Sequence, residues 1–381
     1  MRRMIAGLMA AGVMMASLTG CQATAGNSAV QTTAGSSAAQ TTAAGQPESG
    51  IAAGSTAESE NGGAAEGGSG AGDSRGALSG TITLYTSQPE EDAQKLIDGF
   101  NEKCPDIQVD VFRSGTEEVI SKVLAEKQAE SVLADVLLVA DNVTFESLKE
   151  QNMLQPYQSP ELQGIPADYI DKDHMYTGTK VITTGIVYNT ELMDTPPQAF
   201  SDLAGESCRN QAIMPSPLYS GAAAYNLGVM TRTEGLGWEY FEGLKANGIT
   251  VDKGNGAIQK AVVAGDKSCG ILVDYMAVRS KNDGAPVEFV YPREGSPAVT
   301  EPIGIVNGTK HQELAQAFVD YVLSEDGQKL AAAIGYTPVK SGVQAPAGLN
   351  TIDQIQLMSQ DTTTLYQQRD ADKQAFSQLF Q

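Results

Sequence analysis

"VDVFRSGTEEVI", residues 109–120, changes its period halfway along. Val109 and Val111 alternate with polar neighbours, as on a half-buried strand, whereas Val119, Ile120, Val123 and Leu124 recur at helical spacing. Between the two lie Arg113, Ser114, Gly115 and Thr116, where the first amides of a helix have no intrahelical partner. Those amides, at the positive end of the helix dipole, take either a capping side chain or an anion. The same strand–turn–helix order continues on both sides. "TITLYTS" (81–87) is a strand, and "EEDAQKLIDGFNEK" (90–103) is a helix with Ala93, Leu96, Ile97 and Phe100 on one face. "ADVLLVA" (134–140) and "VTFESLKEQNML" (143–154) repeat the pair, and "KVITTGIVYN" (180–189) is a long strand. A second series starts at "QAIMP" (211–215) and "SGAAAYNLGVM" (220–230), and reaches the strands "GILVDY" (270–275) and "VEFVY" (287–291) through two more helices. "EPIGIVNG" (301–308) then leads into two helices and a helical tail. Such alternation predicts an α/β fold, two series of mostly parallel strands with helices on both faces.

Open parallel sheets bind ligands beyond the carboxyl ends of their strands, so the turns there hold the candidate residues. They supply Thr86 and Ser87, then Arg113, Ser114, Gly115 and Thr116, then Asn142, then Ser220 and Gly221, then Asp274 and Tyr275. Thr184 on the long strand joins them. Each Ser or Thr suits capping, but recurrence in both series favours an anionic ligand, and Arg113 adds a charge-assisted contact. Asp274 and Glu294 read either as acceptors for loop amides or as partners for a ligand amine.

The chain's first 79 residues have another character. Met1 to Cys21 reads as a lipoprotein signal: Arg2 and Arg3, an apolar run, then "LTGC", with Cys21 the residue to be lipidated. A membrane-spanning helix would need about 20 apolar residues. Residues 22–79 are Ala, Gly, Ser, Thr and Gln with almost no large apolar side chain, a composition that predicts a disordered tether on the order of 40 Å end to end. Removing Arg2 and Arg3 from the 25 basic residues leaves 23 against 46 acidic ones, and the net charge moves from −21 to −23. So acidic a chain repels nucleic acid and anionic lipid surfaces, which leaves the lipid as its membrane attachment. Cys104, Cys208 and Cys269 fit no zinc spacing, and the histidines are His174 and His311, so neither metal site nor cofactor is expected. Cys208 precedes "AIMP" and Cys269 precedes "GILVDY", at the same end of one sheet, either as a disulfide or as two unpaired core residues. "GDSRG" (72–76) has hydrolase spacing but no preceding strand, and no zinc-protease or phosphate-loop motif occurs, so no enzyme is expected. A structural or adhesive surface lipoprotein would account for the tether, not for two series of converging turns.

Four stretches together carry a resemblance: "ITLYTSQPEEDAQKLIDGFNEKCPDIQV", "ISKVLAEK…ADVLLVAD…LKEQNMLQPY", "TGTKVITTGIVYNTELM" and "GIVNGTKHQELAQAFVDYVLSEDGQKLAAAIGYTPV". Over residues 80–381 the chain resembles the solute-binding proteins of ABC importers with the type II periplasmic-binding fold, in the branch of ferric-iron, aminoethylphosphonate and phosphate-ester binders. The resemblance implies two lobes joined by two crossing strands, expected near residues 183–188 and 298–303, with a return at Ser324. Lobe one is then 80–185 with 299–324, and lobe two is 186–298 with 325–381. It further implies an extracytoplasmic, lipid-anchored monomer that closes on a small anionic solute and hands it to permease subunits. A phosphonate or phosphate ester is expected, with ferric iron as the alternative. Pro89 and Ala140 stand where ferric binders place a histidine and a glutamate, and Tyr275 is followed by Met276 rather than a second tyrosine. Fe(III) needs anionic oxygen ligands, so these departures count against it. Ala222 stands where the branch often has a hydroxyl.

Overall fold

The structure is a computed structural model that describes residues 78–381. The signal with Cys21, "GDSRG" and the tether up to residue 77 lie outside the described residues. The first series is β1 (Gly80–Thr86), α1 (Glu90–Lys103), β2 (Ile107–Arg113), α2 (Thr116–Gln128), β3 (Val136–Leu138) and α3 (Asn142–Glu150), followed by the short β4 (Leu154–Gln155). β5 (Thr177–Asn189) opens the second, which continues with β6 (Ala212–Pro215), α4 (Gly221–Met230), α5 (Gly237–Ala246), β7 (Thr250–Asp252) and α6 (Asn255–Val263). β8 (Cys269–Val273), α7 (Asp274–Asn282) and β9 (Val287–Val290) complete it. β10 (Ser296–Val306) leads back to α8 (Gln312–Leu323), α9 (Glu325–Ile334), β11 (Thr337–Pro338), β12 (Leu357–Met358) and α10 (Thr362–Phe380).

β1 lies between β2 and β3 in parallel, with Leu84 opposite Val111 and Val136. Ile82 and Leu84 are wholly buried, and α1 buries the face its spacing predicts, with Phe100 edge-on to Phe318 at 5.0 Å. The main strand order is β2-β1-β3-β10-β5-β8-β6-β7. β5 is the pivot. Its residues up to Thr183 pair with β10, and from Thr184 on they pair with β8, so it changes sheet between two adjacent threonines. β10 makes the return crossing, pairing with β5 from Ala298 to Ile303. One core surrounds Phe100 and Phe318, a smaller one Phe145, and the second lobe's core includes Phe200 and Phe241. Among the described residues no helix is long and apolar enough to cross a membrane.

Two local expectations change, and one holds. The strand read as "GILVDY" stops at Val273, and Asp274 and Tyr275 open α7, because the Asp274 carboxylate accepts the Tyr275 amide at 2.8 Å. The return to the second lobe comes after Ser324, which ends α8 and caps α9 in one step. α9 stays on α1, where Lys103 meets Asp326 at 2.8 Å, while Leu330, Ala331 and Ile334 at its far end, and Tyr336 just beyond it, pack against the second core. Cys208 and Cys269 do share one sheet end, Ala212 pairing with Cys269, and their buried sulfurs are 3.3 Å apart as free thiols.

Candidate functional site

Every parallel strand that runs toward the centre ends at one cleft of about 610 Å³. Ser87 follows β1, Arg113 ends β2 ahead of Gly115 and Thr116, and Ala140 follows β3. Ser220 and Gly221 follow β6, Gly254 follows β7, and Tyr275 follows β8. Two helix starts here have a glycine as cap and no side-chain acceptor: Gly115 before α2 and Gly254 before α6. By contrast, Asp141 caps α3 by accepting from the Thr144 amide at 2.9 Å, and Ser220 caps α4 from Ala223 at 3.3 Å. Uncapped amides at a helix start are the groups that bind anions.

The two sides of the cleft approach closely, and glycine permits it. A Cβ on Gly221 would stand 2.6 Å from the Ala140 carbonyl oxygen, and one on Gly115 would stand 2.7 Å from the Tyr219 ring. The Tyr219 carbonyl in turn accepts the Glu117 amide at 3.3 Å, so a second-lobe loop supplies part of the cap that α2 lacks. Arg113, Lys253, Lys260 and Arg279 all line the space. Arg279 grips Asp92 with two bonds of 2.9 and 3.2 Å. Arg113 donates to the Gln88 carbonyl at 2.7 Å, and Lys253 stands 5.3 Å from the Tyr219 ring centre. Among the described residues Arg113, Lys253 and Lys260 have no carboxylate partner. Glu90, Glu91 and Asp283 line the same cleft, so these cations offer an anion local charge-assisted contacts rather than a net positive field.

Another wall is polar and already satisfied in charge. Gln88 is buried and donates from Nε2 to Glu301 at 3.1 Å; Glu301 also takes the Lys180 ammonium. Tyr336 donates to Asp92 at 2.6 Å and packs its ring 4.3 Å from that of Tyr275. Burial pushes the Tyr275 hydroxyl upward, which favours phenol over phenolate.

Ser87, Arg113, Gly115, Thr116, Ser220, Gly221 and Tyr275 thus meet in the cleft as predicted from their turns. The others have structural work. Thr86 donates to the Leu138 carbonyl at 2.7 Å and ties β1 to β3. Ser114 donates to the Glu118 carboxylate, and Thr184 accepts from Asn226 at 3.0 Å. Asn142 is only the first residue of α3, whose cap is Asp141. Asp274 accepts from the Thr183 and Tyr275 amides, and Glu294 accepts from the Phe200 and Ser201 amides at 3.0 Å. Those bonds remove both carboxylates from the candidate site. Sequence reasoning missed Gln88, Tyr219, Lys253, Lys260 and Arg279. The one local signal was "KGNGA" (253–257), a glycine-rich helix start after β7.

The profile of a family described as bacterial extracellular solute-binding protein matches residues 131–359. A Fe(3+)-binding periplasmic protein of Serratia marcescens is 25% identical over 260 residues, 65% of this chain and 75% of the relative. A periplasmic protein of Salmonella typhimurium named for 2-aminoethylphosphonate binding is 23% identical over 279 residues, 69% of this chain and 80% of its own length. Among solved structures, the periplasmic binding protein AfuA of Actinobacillus pleuropneumoniae, with exogenous fructose-6-phosphate bound, superposes with a TM-score of 0.73 at 21% identity. That match covers 79% of this chain and 98% of the other.

Proposed function

Because the chain belongs to the family of bacterial extracellular solute-binding proteins, we propose that it is the receptor of an ABC importer for a small phosphorylated or phosphonate solute. The solute would sit between the lobes, favour the closed arrangement by touching both, and pass to permease subunits. The observation that carries this reading is the set of Arg113, Lys253 and Lys260, without carboxylate partners among the described residues, in a cleft with two helix starts that no side chain caps. Lipid attachment at Cys21 and a monomeric state belong to the same reading. So does a bond between Cys208 and Cys269 after export, formed by passing two electrons and two protons to a disulfide donor. Thiol titration of the unfolded, exported protein should then find Cys104 alone; titration of all three would leave the pair reduced.

Calorimetry of the parent protein with 2-aminoethylphosphonate, fructose 6-phosphate and chelated Fe(III) tests the ligand class. For an anion, Arg113→Gln removes a hydrogen bond to a charged group, about 1.5–3 kcal/mol or roughly tenfold or more in affinity. Tyr275→Phe should cost less, since the ring stays. Iron would reverse the order, because Tyr275 is the one surviving ferric-type ligand position. Fe(III) binding abolished by Tyr275→Phe, with no phosphorylated solute bound by the parent, would overturn the proposal.

A further inference from the structure

We propose that Arg369, far along the C-terminal helix, is a positioning residue that ties two turns of the binding cleft to the opposite lobe. The inference rests on the cleft being the binding site. α10 is anchored in the second lobe: Leu365 and Phe376 lie in its core, and Arg232 clasps Asp372 at 2.7 and 3.2 Å. Its other edge faces the first lobe. There the Arg369 side chain, only 11% exposed, donates to Asp141 at 3.0 and 3.2 Å, to Glu117 at 2.9 Å and to the Thr144 hydroxyl at 3.2 Å. Lys373 reaches the second oxygen of Glu117 at 2.9 Å.

The two carboxylates are not arbitrary surface groups. Asp141 is wholly buried, caps α3 and follows Ala140 of the cleft. Glu117 follows Thr116 of the cleft, and its amide meets the Tyr219 carbonyl. One second-lobe cation therefore holds the starts of two first-lobe helices, each beside the position where the cleft turns toward the solute. Without it, among the described residues, buried Asp141 would have no cation and Glu117 only Lys373, leaving like charges close in a poorly solvated place. Parting the lobes would expose the same pair, so the network favours closure without touching the solute. A residue that raises the closed population raises apparent affinity by the same factor.

The test compares the parent protein with Arg369→Gln, Arg369→Lys and Lys373→Gln. Small-angle scattering without solute reads the lobe arrangement, and stopped-flow release of fructose 6-phosphate and of 2-aminoethylphosphonate reads the coupling. Arg369→Gln should enlarge the radius of gyration and speed release at least tenfold, Lys373→Gln should do so severalfold, and Arg369→Lys should recover part of both. If neither probe binds the parent, the reading of the cleft fails, and scattering alone still decides the positioning role. If Arg369→Gln does not fold, Lys373→Gln carries the comparison. Folded variants with the parent's radius, and with unchanged release where a probe binds, would overturn the inference.

Discussion

Asp274 follows β8 between Val273 and Tyr275 of the second lobe's core, 1% exposed, and burial pushes its carboxyl up to about 7. Its Oδ1 accepts the Thr183 and Tyr275 amides at 3.3 and 2.8 Å, and the Tyr291 hydroxyl lies 3.4 Å from Oδ2. An unfolded aspartate titrates near 3.9. From roughly pH 4 to 7, then, the folded protein holds a proton that the unfolded chain has released. Stability from this group is fully present below the unfolded value and is lost as pH rises through the folded one. An asparagine side chain at this position would keep the Oδ1 acceptor and offer Nδ2 to Tyr291, without a charge to desolvate. Asp274→Asn should therefore gain on the parent as pH rises from 5 to 7.5, by at most about 1.4 kcal/mol per unit. Urea unfolding at several pH values measures it. A difference that does not change with pH would mean that Asp274 is ionised throughout.

At the scale of elements, the starts of α2 and α4 meet across the cleft, and Gly221 sets how near they come. Within its own lobe an alanine there fits a helix and gains up to about 1 kcal/mol over glycine. Its Cβ would nevertheless lie 2.6 Å from the Ala140 oxygen and 2.9 Å from the Thr116 side chain, both in the other lobe. Gly221→Ala should thus keep the unfolding free energy from urea titration within about 1 kcal/mol of the parent's while weakening solute binding roughly tenfold. A collapse of stability instead would show a permanent interface rather than a closing seam. The elements themselves were largely legible in sequence. α1 starts and ends at the predicted residues because its apolar face keeps one period from Ala93 to Phe100. The path of α9 was not, since Ser324 ends one helix and caps the next and nothing local says which lobe the second joins. The site divides the same way. Ser87, Thr116 and Ser220 line the cleft from their turns, Ser220 while capping α4, whereas Ser114 and Thr184 look alike in sequence and do not line it. Lys253 is marked only by the glycine-rich start of α6, and Lys260 and Arg279 carry no pattern beyond their own charge, so tertiary packing brings them to the cleft.

For the whole molecule, the proposed lipid anchor can be weighed against other ways of holding so acidic a chain at a membrane. The strands and helices described here lie between Gly80 and Phe380, and among the described residues none of the helices can cross a bilayer. A net charge of −21 works against adsorption to an anionic leaflet, because polybasic contacts add about 1 kcal/mol each and acidic ones oppose them. The anchor we propose is at "LTGC", residues 18–21, ahead of a tract whose composition allows it to act as a tether. Buried acyl chains supply about 0.8 kcal/mol per methylene, and stable anchoring takes more than one chain, which Cys21 would have to carry. Cys21→Ala should consequently move the protein from the membrane pellet to the soluble fraction, with the solute affinity of the released protein within about twofold of the parent's, a difference under about 0.5 kcal/mol. Fractionation followed by immunoblotting, with calorimetry on the released protein, makes the comparison. Persistent pelleting of the Cys21→Ala protein would point to an uncleaved signal helix or a tight protein partner, and a mild alkaline wash separates these two, since it strips a partner and leaves a helix in place.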